Sequence, residues 1–183
     1  MQRQLLFIQG GGADAYAWDR KLVDSLTHSL GPDYESRYPR MPNEDDPDEA
    51  RWKAVIMQEF AALDDGAILV GHSIGGTILV DLLAEQPPAR PPGALVLLAA
   101  PFVGEGGWPA DGFETRRDLG EKLPPGMPVH LFHGEEDETA PPGHASLYAR
   151  VVPQARLHLL PGRDHQLGND LGEVAAAIRA MGD

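Results

Sequence analysis

The stretch that most constrains this chain is residues 67–83, Ala-Ile-Leu-Val-Gly-His-Ser-Ile-Gly-Gly-Thr-Ile-Leu-Val-Asp-Leu-Leu. Ala67 to Val70 is a short apolar run of the kind that forms a fully buried strand. Ile74, Ile78, Leu79, Leu82 and Leu83 then recur at helical spacing, so a helix starts within a few residues of the strand's end. Between them, Gly71-His72-Ser73-Ile74-Gly75 matches G-x-S-x-G. So abrupt a strand-to-helix turn forces the serine into strained backbone geometry, and the flanking glycines let neighbouring backbone approach without a Cβ clash. The serine hydroxyl is then exposed at the sheet's edge, above a helix N-terminus whose free N–H groups favour developing negative charge. Ser73 is therefore the expected nucleophile.

Composition narrows the alternatives. At 183 residues the chain is expected to form one domain, residues 1–183, with a substantial core. It has no run of about 18 apolar residues, so no transmembrane helix is expected. Leu5-Leu6-Phe7-Ile8 is too short for a signal-peptide core and has no small-residue cleavage site. The absence of cysteine excludes disulfides, thiolate zinc sites and cysteine nucleophiles, and fits a cytoplasmic protein. A formal charge of -13 argues against nucleic acid or an anionic membrane as partner, because phosphate binding needs clustered Lys and Arg.

Along the chain, apolar strands alternate with amphipathic helices. Residues 4–9 form a buried strand running into Gly10-Gly11-Gly12. Asp14 is placed to cap the next helix, whose apolar face is Trp18, Leu22, Val23, Leu26 and Leu30. A weak strand near 35–38 ends at Pro39. The acidic run 43–49 leads into a helix carrying Trp52, Val55, Ile56, Phe60 and Leu63, and carboxylates at that helix start complement its dipole. Further strands are expected at 94–99, 129–133 and 156–160. Helices are expected near 114–122, over 145–151, and through Leu171, Val174, Ile178 and Met181. Such alternation means βαβ units. The expected fold is a three-layer α/β sandwich with a mostly parallel sheet of about six strands.

A serine hydroxyl needs a base within hydrogen-bond reach, and the base needs an orienting acid. In an open parallel sheet these groups gather at the carboxyl ends of strands. The strand ending at His133 is followed by Gly134-Glu135-Glu136-Asp137-Glu138-Thr139-Ala140-Pro141, and the strand ending at Leu160 by Pro161-Gly162-Arg163-Asp164-His165. Ser73, Asp137 and His165 thus fall in chain order on loops at one sheet edge. Of the other histidines, His72 is expected to turn away from the serine's site, and His130, His133 and His158 to be structural. His144 approaches the site by its loop position but lies at a helix start.

On these residues the chain resembles the α/β-hydrolase superfamily over essentially its full length. The resemblance rests on the G-x-S-x-G turn, the Gly-x-x-Asp-x-x-x-Pro run from Gly134 to Pro141, His165 after the last strand, and the glycine turn after the first. With no long insertion after Ala99, it looks most like the compact, lidless retinoblastoma-binding serine hydrolase and YdeN-like group. The segments 162–169 and 38–42 resemble that group's histidine loop and Met-Pro turn. The resemblance implies Ser73 as nucleophile, His165 as base and Asp137 as acid, with Glu105 the fallback acid. It implies an oxyanion hole from the backbone N–H groups of Ile74 and Gly11, with Gly12 as runner-up, although Gln9 stands where many relatives have histidine.

Phe102 and Trp108, with Phe113, are expected to wall an open pocket suited to a small acyl substrate. The histidines show no metal-ligand spacing, the glycines no dinucleotide fingerprint, and the mechanism needs no cofactor. The expected function is cleavage of a small carboxylic ester, thioester or amide through an acyl-enzyme. The alternatives are a protein-interaction module on a hydrolase scaffold, and an acyltransferase or perhydrolase using the same three residues.

Overall fold

The computed structural model describes residues 2–181. Six strands form one all-parallel sheet: β1 (Arg3–Ile8), β2 (Tyr34–Arg37), β3 (Ile68–His72), β4 (Ala94–Leu98), β5 (Val129–Gly134) and β6 (Arg156–Leu160), in spatial order β2-β1-β3-β4-β5-β6. The chain leaves β1 towards β2 on one side, then returns to place β3 on the other. The C-terminal ends of β1 and β3 therefore diverge into a crevice at the point where the winding reverses. Gly10 to Gly12 follow β1 and Ser73 follows β3, so both border it.

Alternation along each strand builds two cores. Leu6 and Ile8 of β1 join Leu69, Leu95, Leu97 and Leu131 on one face, covered by α2 (Glu49–Ala61), α3 (Ser73–Glu85), the short α4 (Leu119–Lys122) and α5 (Gly143–Val151). Leu5 and Phe7 join Val70, Val96, Leu98 and Phe132 on the other, covered by α1 (Ala15–Leu30) and α6 (Gly172–Ala180). The central strands read as continuous apolar runs because both faces are buried. Each fully buried Leu, Ile or Phe among them contributes about 1.5–3 kcal/mol.

Three local expectations change. Asp14 sits at the α1 cap position with a left-handed backbone and no side-chain cap bond. Asp48 does cap α2, accepting from Arg51 N. The helix expected near 114–122 is a single turn, because Arg116 and Thr115 instead tie their segment to Asp118 and Val103. Trp18 is 53% exposed rather than part of the α1 core face, which runs through Ala15, Asp19, Leu22, Val23, Leu26 and Leu30. Among the described residues no helix is long and apolar enough to cross a membrane.

Candidate active site

Ser73 has φ 51°, a left-handed value uncommon for a residue with a side chain, and opens α3 directly from β3. What holds it there is close packing around the turn. A Cβ at Gly71 would lie 2.5 Å from Gly76 Cα, and one at Gly75 would overlap the Gln9 carbonyl oxygen. Only glycines let the β3–α3 corner fold this tightly against itself and against β1.

The three residues that sequence order put on one edge are in contact. Ser73 Oγ lies 2.9 Å from His165 Nε2, and His165 Nδ1 lies 2.7 Å from Asp137 Oδ2. The Asp137 side chain is fully enclosed and accepts three hydrogen bonds, from Thr139 N and Ala140 N at Oδ1 and from His165 Nδ1 at Oδ2, while His133 Nε2, which donates to Ala140 O at 2.6 Å, lies 3.2 Å from Oδ2. Burial pushes this carboxyl up, but the donors of His133, His165 and Ala140 N outweigh it and hold it well below the usual carboxylate range. An ionised acid facing Nδ1 keeps the proton on that nitrogen and leaves Nε2 free to accept from the serine. The fallback acid is elsewhere: Glu105 is exposed and paired with Arg117. Asp164 Oδ1 accepts from Gly168 N and braces the histidine loop.

In the glycine turn, Gly10 N donates to Asp19 Oδ2 and Gly12 N donates to Glu44 O. That leaves Gly11 N with no partner among the described residues. Gly11 lies against the elbow, since a Cβ there would sit 2.9 Å from Ile74 Cγ2. Ile74 N, in the first turn of α3, belongs to the helix-terminal donors that lack an intrahelical acceptor. The two N–H groups expected to form an oxyanion hole are thus the ones left open, and Gly12 is not.

The cleft beside Ser73 holds about 130 Å³ and is lined by Gly10, Gly11, Ala13, Trp18, His165 and Gln166, among others. Phe102 and Trp108 do not line it, which corrects the expectation for them. Phe102 is buried edge-on against Tyr148, and the Trp108 indole donates to Thr139 O on the acid loop. Trp18 supplies the aromatic wall instead. Larger hollows lie away from Ser73. One of about 680 Å³ adjoins Glu49, Lys53 and Glu85, where Lys53 Nζ bridges Glu49, Asp81 and Glu85. That acidic cluster already holds its cation.

Three residues near the site take roles that the sequence does not assign to them. Asp19 is enclosed and accepts from Gly10 N, His72 Nδ1 and Gln166 Nε2. Gln9, where relatives often have histidine, donates to Glu44 Oε2 and accepts from Met41 N, so it ties the glycine turn to residues 41–44. Glu44, read only as part of an acidic helix start, is buried and also accepts from Tyr16 N and Arg40. The one available signal was Asp19's position, a single turn before Leu22 and Val23 on an apolar stripe.

The remaining histidines are structural in different ways. His144 Nδ1 accepts from Phe102 N, and burial lowers its basicity. His130 stacks with His158 and Phe132 on the sheet, and burial beside His158 and Arg156 pushes it down to about 4.

The family model described as the alpha/beta hydrolase family matches residues 5–126, a span that contains the glycine turn and the serine elbow. The chain belongs to the alpha/beta hydrolase family. The matched span ends before Asp137 and His165, so for those two the geometry above stands alone. Solved structures share the whole fold at low identity. Arabidopsis thaliana SOBER1 is similar with a TM-score of 0.72 at 15% identity, covering 100% of both chains. Est1E from Butyrivibrio proteoclasticus gives 0.71 at 17%, covering 98% of this chain and 86% of that one. The esterase RhEst1 from Rhodococcus sp. ECU1013 gives 0.71 at 17%, covering 98% and 90%. No curated protein sequence matches the chain significantly. Hydrolase activity is what the family and these neighbours support.

Proposed function

We propose that this hydrolase cleaves a small carboxylic ester, thioester or amide through an acyl-enzyme on Ser73, within the compact group that includes retinoblastoma-binding serine hydrolase and YdeN-like proteins. The observation that carries the reading is the unbroken chain Asp137 Oδ2, His165 Nδ1, His165 Nε2, Ser73 Oγ, with links of 2.7 and 2.9 Å. Ser73 Oγ attacks the substrate carbonyl carbon as its proton passes to His165 Nε2. The carbonyl oxygen gains the negative charge and takes the N–H groups of Gly11 and Ile74. Collapse expels the alcohol, thiol or amine, which receives the proton from His165. Water then repeats the sequence on the acyl-serine, with His165 again as base. No step requires a cofactor.

A cleft of about 130 Å³ has room for a short acyl group against Trp18 and for little more. Glu135, Glu136 and Glu138 are exposed on the loop that carries Asp137. Their charge disfavours anionic substrates, an effect that screening removes. Chain location is proposed as cytoplasmic from the lack of cysteine alone.

The test is a p-nitrophenyl ester series from acetate to octanoate, with a carboxylated ester at low salt, on wild type and Ser73→Ala. The expected result is turnover that falls with chain length, is slower on the anionic ester, and disappears in the variant. Hydrolysis by Ser73→Ala at the wild-type rate would overturn the proposal.

A further inference from the structure

Both nitrogens of the His72 ring face oxygen. Nδ1 is 2.8 Å from Asp19 Oδ2, and Nε2 is 2.9 Å from the main-chain carbonyl oxygen of His165. A carbonyl oxygen can only accept, so Nε2 carries a proton. Asp19 already accepts from Gly10 N at Oδ2 (2.7 Å) and from Gln166 Nε2 at Oδ1 (3.2 Å). A carboxylate receiving that many donors is the ionised form, and it too only accepts, so Nδ1 also carries a proton.

We propose that His72 is a buried imidazolium ion-paired with Asp19, and that this pair is a positioning device which locks the loops after β1, β3 and β6 around Ser73. Each loop is held by a separate bond. Asp19 fixes Gly10, the neighbour of the open Gly11 N–H. His72 itself precedes Ser73. Its Nε2–H holds the backbone of His165, while Asp19 also holds the Gln166 side chain beside it.

The side chains of His72 and Asp19 are almost wholly enclosed. Charges so placed persist only when paired and hydrogen-bonded at each donor, as these are. The titratable groups facing His72 are Asp19 from α1, Asp137 from the loop after β5, and His165 from the loop after β6, whose ring centroid lies 5.1 Å from that of His72 and whose main-chain carbonyl accepts from Nε2. Burial favours neutral His72, but the Asp19 charge, its hydrogen bond and the His165 carbonyl outweigh it and raise the imidazole above its ordinary value. For Asp19, burial raises the carboxyl, while the His72 charge and the bonds from His72, Gly10 and Gln166 bring it below its ordinary value. Deprotonating His72 would turn a nitrogen lone pair either onto the His165 carbonyl, which frees the base loop, or onto Asp19, which cuts the link to the loop after β1.

The charge state is independent of the reaction; the kinetic consequence rests on the serine hydrolase reading. Protein labelled with 15N-histidine is examined at pH 7.5 by long-range proton–nitrogen correlation, which separates imidazolium from either neutral tautomer. The expected spectrum shows both His72 nitrogens protonated, with titration well above about 6.5, the free histidine value. A single-tautomer neutral pattern at pH 7.5 would overturn the proposal, and wild type alone decides this even if variants fail to fold. In kinetics on a short acyl ester, Asp19→Asn should lower kcat on the order of 10²-fold, the cost of a displacement near 1 Å, with KM little changed. It should also move the alkaline limb of the kcat profile to lower pH, and Asp19→Glu should recover part of the loss. A folded Asp19→Asn variant with wild-type kcat and an unmoved alkaline limb would refute the positioning role. Wild type with the imidazolium spectrum but no ester turnover would instead refute the hydrolase reading and leave the charge assignment standing.

Discussion

Replacing Asp137 by asparagine reverses the proton arrangement at the site, and the structure says which way. Thr139 N and Ala140 N both donate to Oδ1 at 2.9 Å, so asparagine must keep its carbonyl oxygen there. Its amide NH2 then occupies the Oδ2 position, 2.7 Å from His165 Nδ1 and 3.2 Å from His133 Nε2. An NH2 can only donate, so His165 must offer Nδ1 as a lone pair and carry its proton on Nε2. That nitrogen then donates to Ser73 instead of accepting from it. The expected loss in kcat is about 10⁴-fold, equivalent to about 5.5 kcal/mol of barrier, with KM little changed. Folding stability should fall by about 2 kcal/mol, because a buried charged acceptor, bonded by His165 and approached by His133, becomes a neutral donor. Steady-state turnover of p-nitrophenyl acetate reads the first effect and urea unfolding the second. Glu105→Gln serves as control and should leave both unchanged, since that carboxylate is an exposed partner of Arg117. An Asp137→Asn enzyme within tenfold of wild-type kcat would refute the assigned tautomer and the role of the acid with it.

Other outcomes follow from the same structure. Gly75→Ala puts a methyl group into the Gln9 carbonyl oxygen, where neither backbone can move away, and should cost about 3 kcal/mol, read as a lower urea midpoint at unchanged slope. Lys53→Met leaves Glu49, Asp81 and Glu85 facing one another without their cation; partial exposure moderates the penalty to about 2 kcal/mol, read as a lower melting temperature with the ester activity intact. The Asp137 carboxyl is held below its unfolded value, so its contribution to stability is complete above about pH 4 and is lost as pH falls through the lower folded value. The stability gap between wild type and Asp137→Asn should therefore be full at pH 6 and close in stronger acid, as followed by urea unfolding across pH.

The parts of this molecule that are legible in sequence are those set by local periodicity and by chain topology. An apolar run of four residues, a glycine-flanked serine and a helical stripe define the β3–α3 elbow without knowledge of anything distant. Once the alternation implies a parallel sheet, the loops past the strand ends are where the base and the acid belong; the resemblance picks Asp137 out of its acidic loop, and the structure joins Asp137 to His165 and His165 to Ser73. What stayed hidden depends on how layers meet. Asp19 and Glu44 are carboxylates, a residue type rarely enclosed, and only their donors on three different segments account for their burial. Trp18 reads as part of the core stripe because it precedes Leu22 by four residues, yet the first turn of α1 overhangs the crevice rather than the sheet. Phe102 and Trp108 read as pocket walls from their place in the irregular stretch after β4. Residues 99–118 fold back instead, with Trp108 N bonded to Phe102 O and Thr115 N to Val103 O, so that Phe102 packs on Tyr148 and the Trp108 indole bonds Thr139 O.

The central claim is that Ser73 is an activated nucleophile, and intact-mass analysis after exposure to a fluorophosphonate tests it most directly. Wild type should gain one phosphonyl group, located by peptide mapping to Ser73, while Ser73→Ala of equal melting temperature gains none. A folded wild type that stays unlabelled, or a label found on another residue, would contradict the account.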